Sequence, residues 1–184
     1  MKLLIASDIH GSKYYCQKLI DVFRDTLPDK LVLLGDILYH GPRNQIPRDY
    51  SPSEVFDMLN GIAEHILAIR GNCDSEVDQM VLKFPMMADY ACIFADGITM
   101  YCTHGHVYGE DNPPPLQGGE ILLCGHTHVP KICSHTGNNG YTYINPGSVT
   151  IPKENSSNSY LVYENGVFTI KDFNGAELLS YKVK

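Results

Sequence analysis

Two uninterrupted apolar tetrads, Leu31-Val32-Leu33-Leu34 and Ile66-Leu67-Ala68-Ile69, constrain this chain more than any other feature. A strand without polar alternation belongs in a sheet covered on both faces. Lys2 to Ala6 reads as a further buried strand. Ser12 to Thr26 reads as a helix, with Cys16, Leu19, Ile20 and Phe23 on one stripe at helical spacing. Ser51-Pro52-Ser53-Glu54 has the form of a capping box with proline at the first helical position, followed by Val55, Met58, Leu59 and Ile62 on one face. A short helix is expected around Ser75 to Leu82. The first half therefore alternates strand and helix.

The second half is mostly β. Tyr90 to Ala95 and Ile98 to Thr103 flank Asp96-Gly97, a strong hairpin signal. Ile121 to Cys124, Tyr141 to Asn145, Tyr160 to Tyr163, Val167 to Phe173 and Glu177 to Lys182 are the remaining expected strands. Asn165-Gly166 and Asn174-Gly175 supply turns. This order fits an α/β protein with two sheets packed face to face and helices outside. At 184 residues, 1–184 is expected to be a single domain.

A formal charge of −7 opposes gripping long nucleic acid, which needs a basic face. It does not oppose a phosphate-bearing small molecule, because bound cations reverse the local sign. None of the six cysteines stands in a CxxC spacing, so a thiolate zinc site is not expected. Reduced thiols and a cytoplasmic location are the expectation. The first residues reach Ser7-Asp8 too early for a secretory leader, and no run approaches a membrane span. A homo-oligomer is left open.

The chemistry sits at strand ends, where ligands bind in α/β sheets. Asp8 and His10 follow the first strand, Asp36 the second and Asn72 the third; His104 and the pair His126/His128 follow later ones. Asp8/His10 and His126/His128 are each two residues apart on extended backbone, which puts both side chains on one side. Taken singly, Asp8-Ile9-His10, Gly35-Asp36 or Gly71-Asn72-Cys73-Asp74 would pass for ordinary loop residues. Five such segments in series, ending in Gly125-His126-Thr127-His128, would not.

Imidazole, carboxylate and carboxamide without thiolate suit a catalytic divalent cation rather than a closed structural zinc. Seven groups are too many for one ion that keeps an open position. If Asp36 bridges, they divide evenly: Asp8, His10 and His128 on one ion, Asn72, His104 and His126 on the other. Two carboxylates against two dications leave about +2, a site that attracts an anionic ester. The expected reaction is in-line attack on phosphorus by a hydroxide bridging the ions. Arg43, in the long loop from Tyr39 to Tyr50, could pair with a phosphate oxygen, or could be an ordinary solvated arginine.

These segments resemble the calcineurin-like metallophosphoesterase superfamily over almost the whole chain. His40-Gly41-Pro42-Arg43-Asn44, Arg70 to Met80, Thr103-His104-Gly105-His106 and Asn145-Pro146-Gly147-Ser148 further resemble the small bacterial YfcE-type phosphodiesterases. The resemblance implies a four-layer αββα sandwich of two mixed sheets flanked by helices, and phosphodiester hydrolysis. It implies the same seven ligands around two divalent ions, with Mn²⁺ foremost and Zn²⁺, Fe²⁺, Ni²⁺, Co²⁺ or Mg²⁺ as alternatives. Arg43 and His40, close together in the loop after the second strand, are the substrate-binding candidates.

One departure stands out. The superfamily's usual motif has histidine after the asparagine, where this chain has Cys73, a weak hydrogen-bond donor. Asp74 behind it loses its obvious partner, and His106 becomes the candidate replacement acid for the leaving oxygen. Two rival functions remain: a non-catalytic scaffold of the same fold, and a phosphomonoesterase or nuclease. The complete ligand set opposes the first, and the acidic charge opposes the nuclease.

Overall fold

A computed structural model describes residues 1–137 and 139–183. Strand β1 (Lys2–Ala6) leads into helix α1 (Lys13–Thr26), β2 (Lys30–Leu33), α2 (Pro52–Asn60), β3 (Ile66–Ala68) and α3 (Glu76–Val81). Then come the hairpin β4 (Tyr90–Ala95) and β5 (Ile98–Thr103), followed by β6 (Ile121–Leu123), β7 (Pro130–Ser134) and β8 (Thr142–Pro146). An antiparallel run of β9 (Ser159–Glu164), β10 (Val167–Asp172) and β11 (Glu177–Lys182) completes the chain.

The strands form two sheets, ordered β11-β10-β9-β1-β2-β3 and β4-β5-β6-β8-β7. In the first, β1, β2 and β3 run parallel; in the second, β5, β6 and β8 do. Each sheet thus carries a parallel trio whose carboxyl ends share a rim. Alternation along the strands builds the layers. Leu3, Ile5, Val32 and Leu34 face Met100, Cys102, Ile121 and Ile144 between the sheets. Leu4, Ala6, Leu31 and Leu33 face the stripe Cys16, Leu19, Ile20 and Phe23 of α1. Both apolar tetrads have covered faces, the first in β2 inside the sheet and the second in β3 at its edge. On the far side of the second sheet, Leu122, Cys124 and Tyr143 are covered by Leu116 of the long connection after β5 rather than by a helix.

Two local readings differ from the sequence expectation. Strand β7 was not expected; it begins at a proline and is only partly buried, a sheet edge whose pairing with β8 carries no alternation signal. The capping box at Ser51 also does not close: its side chain makes no cap bond, and the Glu54 carboxylate is taken by Lys13 of α1. A box does form at α3, where Asp78 accepts from the Ser75 N–H at 2.8 Å and from its hydroxyl at 3.1 Å. Among the described residues no helix is long and apolar enough to cross a membrane.

Candidate metal centre

Beyond the carboxyl ends of β1 and β2 the chain stays zipped. Asp8 N–H donates to Gly35 O, His10 N–H to Asp36 O and Gly11 N–H to Ile37 O at 2.9–3.1 Å. In this tight geometry Asp8, His10, Asp36, His126 and His128 all take left-handed backbone, with φ between 50° and 67°, so the extended backbone expected for the two histidine-bearing pairs is not what aligns their side chains. Side-chain-bearing residues adopt that region at a cost of about 1 kcal/mol or more each, and such strain gathers at functional sites.

The imidazoles are aimed by backbone carbonyls. Nδ1 of His10 donates to Tyr39 O at 2.8 Å, that of His104 to Leu34 O at 2.6 Å, and that of His128 to Ile151 O at 2.6 Å. A carbonyl only accepts, so each ring keeps a proton on Nδ1 and turns Nε2 inward as the atom that takes either a cation or a second proton. Nε2 of His128 lies 3.1 Å from Asp8 Oδ1 and 3.3 Å from Nε2 of His10. Asp36 Oδ2 stands between two groups, 3.7 Å from His10 Nε2 and 3.5 Å from His104 Nε2. His104 Nε2 is 3.1 Å from Asn72 Oδ1, and the His126 ring packs edge-on 5.1 Å from the His104 ring. Asp8, His10 and His128 thus form one close cluster, Asp36 and His104 lie beside it with Asn72 against His104, and the His126 ring packs on His104.

The donor set fits divalent cations. Among the described residues Asp8 Oδ1 is buried without a hydrogen-bond partner other than the facing imidazoles, while Oδ2 accepts from the His126 N–H. A buried carboxylate oxygen left open in this way calls for a proton or a cation. Electrostatics agree. Burial alone would raise Asp8, but His10 and His128 hold it well below the usual carboxylate range. Burial would lower His104, but Asp36 and Asp8 raise it to about 9. In metal-free protein the raised His104 and His10 offset the two carboxylates.

The other candidates lie around this core. Asp74 is not aimed at the centre: its carboxylate accepts backbone N–H groups from Gly71 at 2.7 Å, Asp36 at 2.8 Å and Ile37 at 2.9 Å, clamping two ligand loops together. Cys73 N–H donates to Asp36 Oδ1 at 2.8 Å, and burial, then Asp36, pushes the Cys73 thiol up to about 12. His106 is exposed, its ring 5.3 Å from that of His104. Arg43 lines the cleft of about 520 Å³ that opens over Asp36, Asn72 and His128. The His40 ring instead packs between Tyr39 and Tyr50, at 4.9 and 5.1 Å.

Sequence reasoning missed several supports. Lys153 lines the same cleft as Arg43; a lone lysine in a polar segment gives no signal. Asn145 Nδ2 donates to Gly125 O at 2.7 Å and Thr127 Oγ1 at 3.0 Å, shaping the His126/His128 loop. Ser148 Oγ donates to Asp8 O at 3.0 Å. Gly71 is required because a Cβ there would overlap the Asp36 carboxylate.

Comparison with known proteins gives a consistent picture. The family described as the calcineurin-like phosphoesterase superfamily domain matches residues 1–166. Phosphodiesterase YfcE of Escherichia coli K12 is 41% identical over 180 residues, covering 98% of this chain and 96% of that protein. The solved structure of YfcE, a phosphoesterase from E. coli, superposes with a TM-score of 0.95 at 39% identity over 100% of both chains. Zinc-bound Vps29 from Entamoeba histolytica has a TM-score of 0.62 at 18% identity over 100% of both chains, a likeness of fold alone.

Proposed function

The chain belongs to the calcineurin-like phosphoesterase superfamily, and from that premise we propose that it hydrolyses small phosphodiesters with two divalent cations held at the seam between its sheets. By class it is a metal-dependent phosphoric ester hydrolase. Asp8, His10 and His128 are assigned to one cation and Asn72, His104 and His126 to the other, with Asp36 shared and Mn²⁺ the foremost metal. The observation that carries the reading is the fully buried Asp8 carboxylate, whose Oδ1 lies 3.1 Å from Nε2 of His128 and 3.6 Å from Nε2 of His10, three groups close enough to share one cation. When bound, such cations supply Lewis-acid activation of a water nucleophile and neutralise charge on the phosphoryl oxygens.

The remaining roles fall to this chain's own groups. Tyr39, Leu34 and Ile151 carbonyls hold the imidazoles in one tautomer, which keeps the geometry fixed through turnover. Arg43 is assigned to a phosphate oxygen through its guanidinium fork, with Lys153 as a second positive charge on the cleft wall. His106 is assigned to the leaving oxygen as an N–H donor, since Cys73 donates only weakly. Asp74 positions Asp36 through the backbone. Two cleft cations suit one phosphate group, and a net charge of −7 disfavours a long polyanion.

Exhaustive chelation is expected to abolish hydrolysis of bis(p-nitrophenyl) phosphate, and added Mn²⁺ to restore it. Undiminished turnover by protein shown to be metal-free would end this reading.

A further inference from the structure

We infer that the apolar groove beside the metal centre binds an aromatic ester group of the substrate. The inference rests on the phosphodiesterase reading above and specifies what that site accepts.

The groove, of about 440 Å³, lies between the loop after β2 and helices α2 and α3, and Tyr39, Tyr50, Phe56, Val77 and Val81 wall it. Cys73 belongs both to this wall and to the wall of the cleft over the metal ligands. Its sulfur lies within 4.8 Å of ligand atoms of His10 and Asp36. An ester group on a phosphate held in that cleft would reach the groove past Cys73, the residue the two walls share.

The groove is also built from the supports of the centre. Tyr39 gives its carbonyl to His10 and its ring to the groove. The Tyr50 ring closes over Gly11, next to His10, so tightly that a Cβ there would strike it. On α3, Val77 and Val81 stand one turn apart and remain 68% and 39% exposed, and Tyr39 is 41% exposed. The wall's main polar group, Asp78, is occupied by Ser75. Apolar surface held open beside a polar centre, with three aromatic rings around it, suits a flat apolar ring.

Phenylphosphonate and methylphosphonate test this as competitive inhibitors, because no bond breaks and leaving-group acidity plays no part. Phenylphosphonate is expected to bind about tenfold or more tightly than methylphosphonate. Phe56→Ala and Val77→Ser should each shrink that ratio while leaving the methylphosphonate constant unchanged. Phe56 also packs against the core, so the exposed Val77 supplies the variant that leaves folding intact. Equal inhibition by the two phosphonates overturns the inference, as does a ratio that neither substitution moves. A ratio unmoved while Val77→Ser changes the sedimenting mass overturns it too, and assigns the groove to a second copy of the chain. If neither phosphonate inhibits and no diester is hydrolysed, the phosphodiesterase reading itself falls, and the groove's role with it.

Discussion

His10 and His128, 118 residues apart in the chain, bring their Nε2 atoms to 3.3 Å across the seam between the two sheets. Both rings spend their Nδ1 protons on carbonyls, so two lone pairs would face each other unless a proton or a cation lay between them.

Because the candidate ligands come from both sheets, metal removal should loosen the molecule. A ligand at about 100 times its dissociation constant stabilises the native state by about 2.7 kcal/mol. For a chain of this size that is a fall in melting temperature of roughly 5–10 °C. Calorimetry with and without chelator checks it, and superimposable scans would refute it.

Metal uptake should release protons and strengthen as pH rises. His104 is raised to about 9 in the metal-free fold, so it is charged at neutral pH and must lose its proton to coordinate. The same sign governs the metal-free protein: stability from the charged His104 is present below its unfolded value and lost as pH passes about 9. Titration calorimetry in buffers of different ionisation enthalpy measures the proton release. Affinity independent of pH between 6 and 9 would contradict it.

Asp36→Asn keeps the shape of the central side chain but removes the charge shared by both halves of the site. Turnover is expected to fall by orders of magnitude, roughly 10² or more, with the circular dichroism spectrum unchanged. Near-normal kinetics would remove Asp36 from the bridging position.

Asp74→Ala should act on stability. Three backbone N–H groups lose their acceptor in a buried site, a destabilisation of about 2–4 kcal/mol. Urea unfolding in excess chelator isolates this from metal binding. An unchanged midpoint would mean that water replaces the carboxylate.

His106→Ala should slow esters of weakly acidic alcohols most, if the ring serves the leaving oxygen. Rates against leaving-group pKa decide it, since a uniform loss across the series would leave His106 as a bystander.

Much of this was legible in the residues. The hairpin at Asp96-Gly97 pairs Ala95 with Ile98 as the turn demanded, and α1 buries the stripe its spacing announced. The seven candidate side chains could be singled out because histidine, aspartate and asparagine at strand ends carry distinctive groups. The carbonyls of Leu34, Tyr39 and Ile151 could not, because every residue has one and only folding decides which ring it meets. The Ser51 box failed for a related reason: Lys13, distant in sequence, reaches Glu54 in space.

The left-handed backbone at Asp8, His10, Asp36, His126 and His128 has a consequence for sequence drift. Each of these positions would be more comfortable as glycine, so chemistry and conformational ease pull in opposite directions there. A descendant released from its reaction would be expected to relax first at those five places, trading coordinating side chains for bare α-carbons while the sandwich beneath stayed intact.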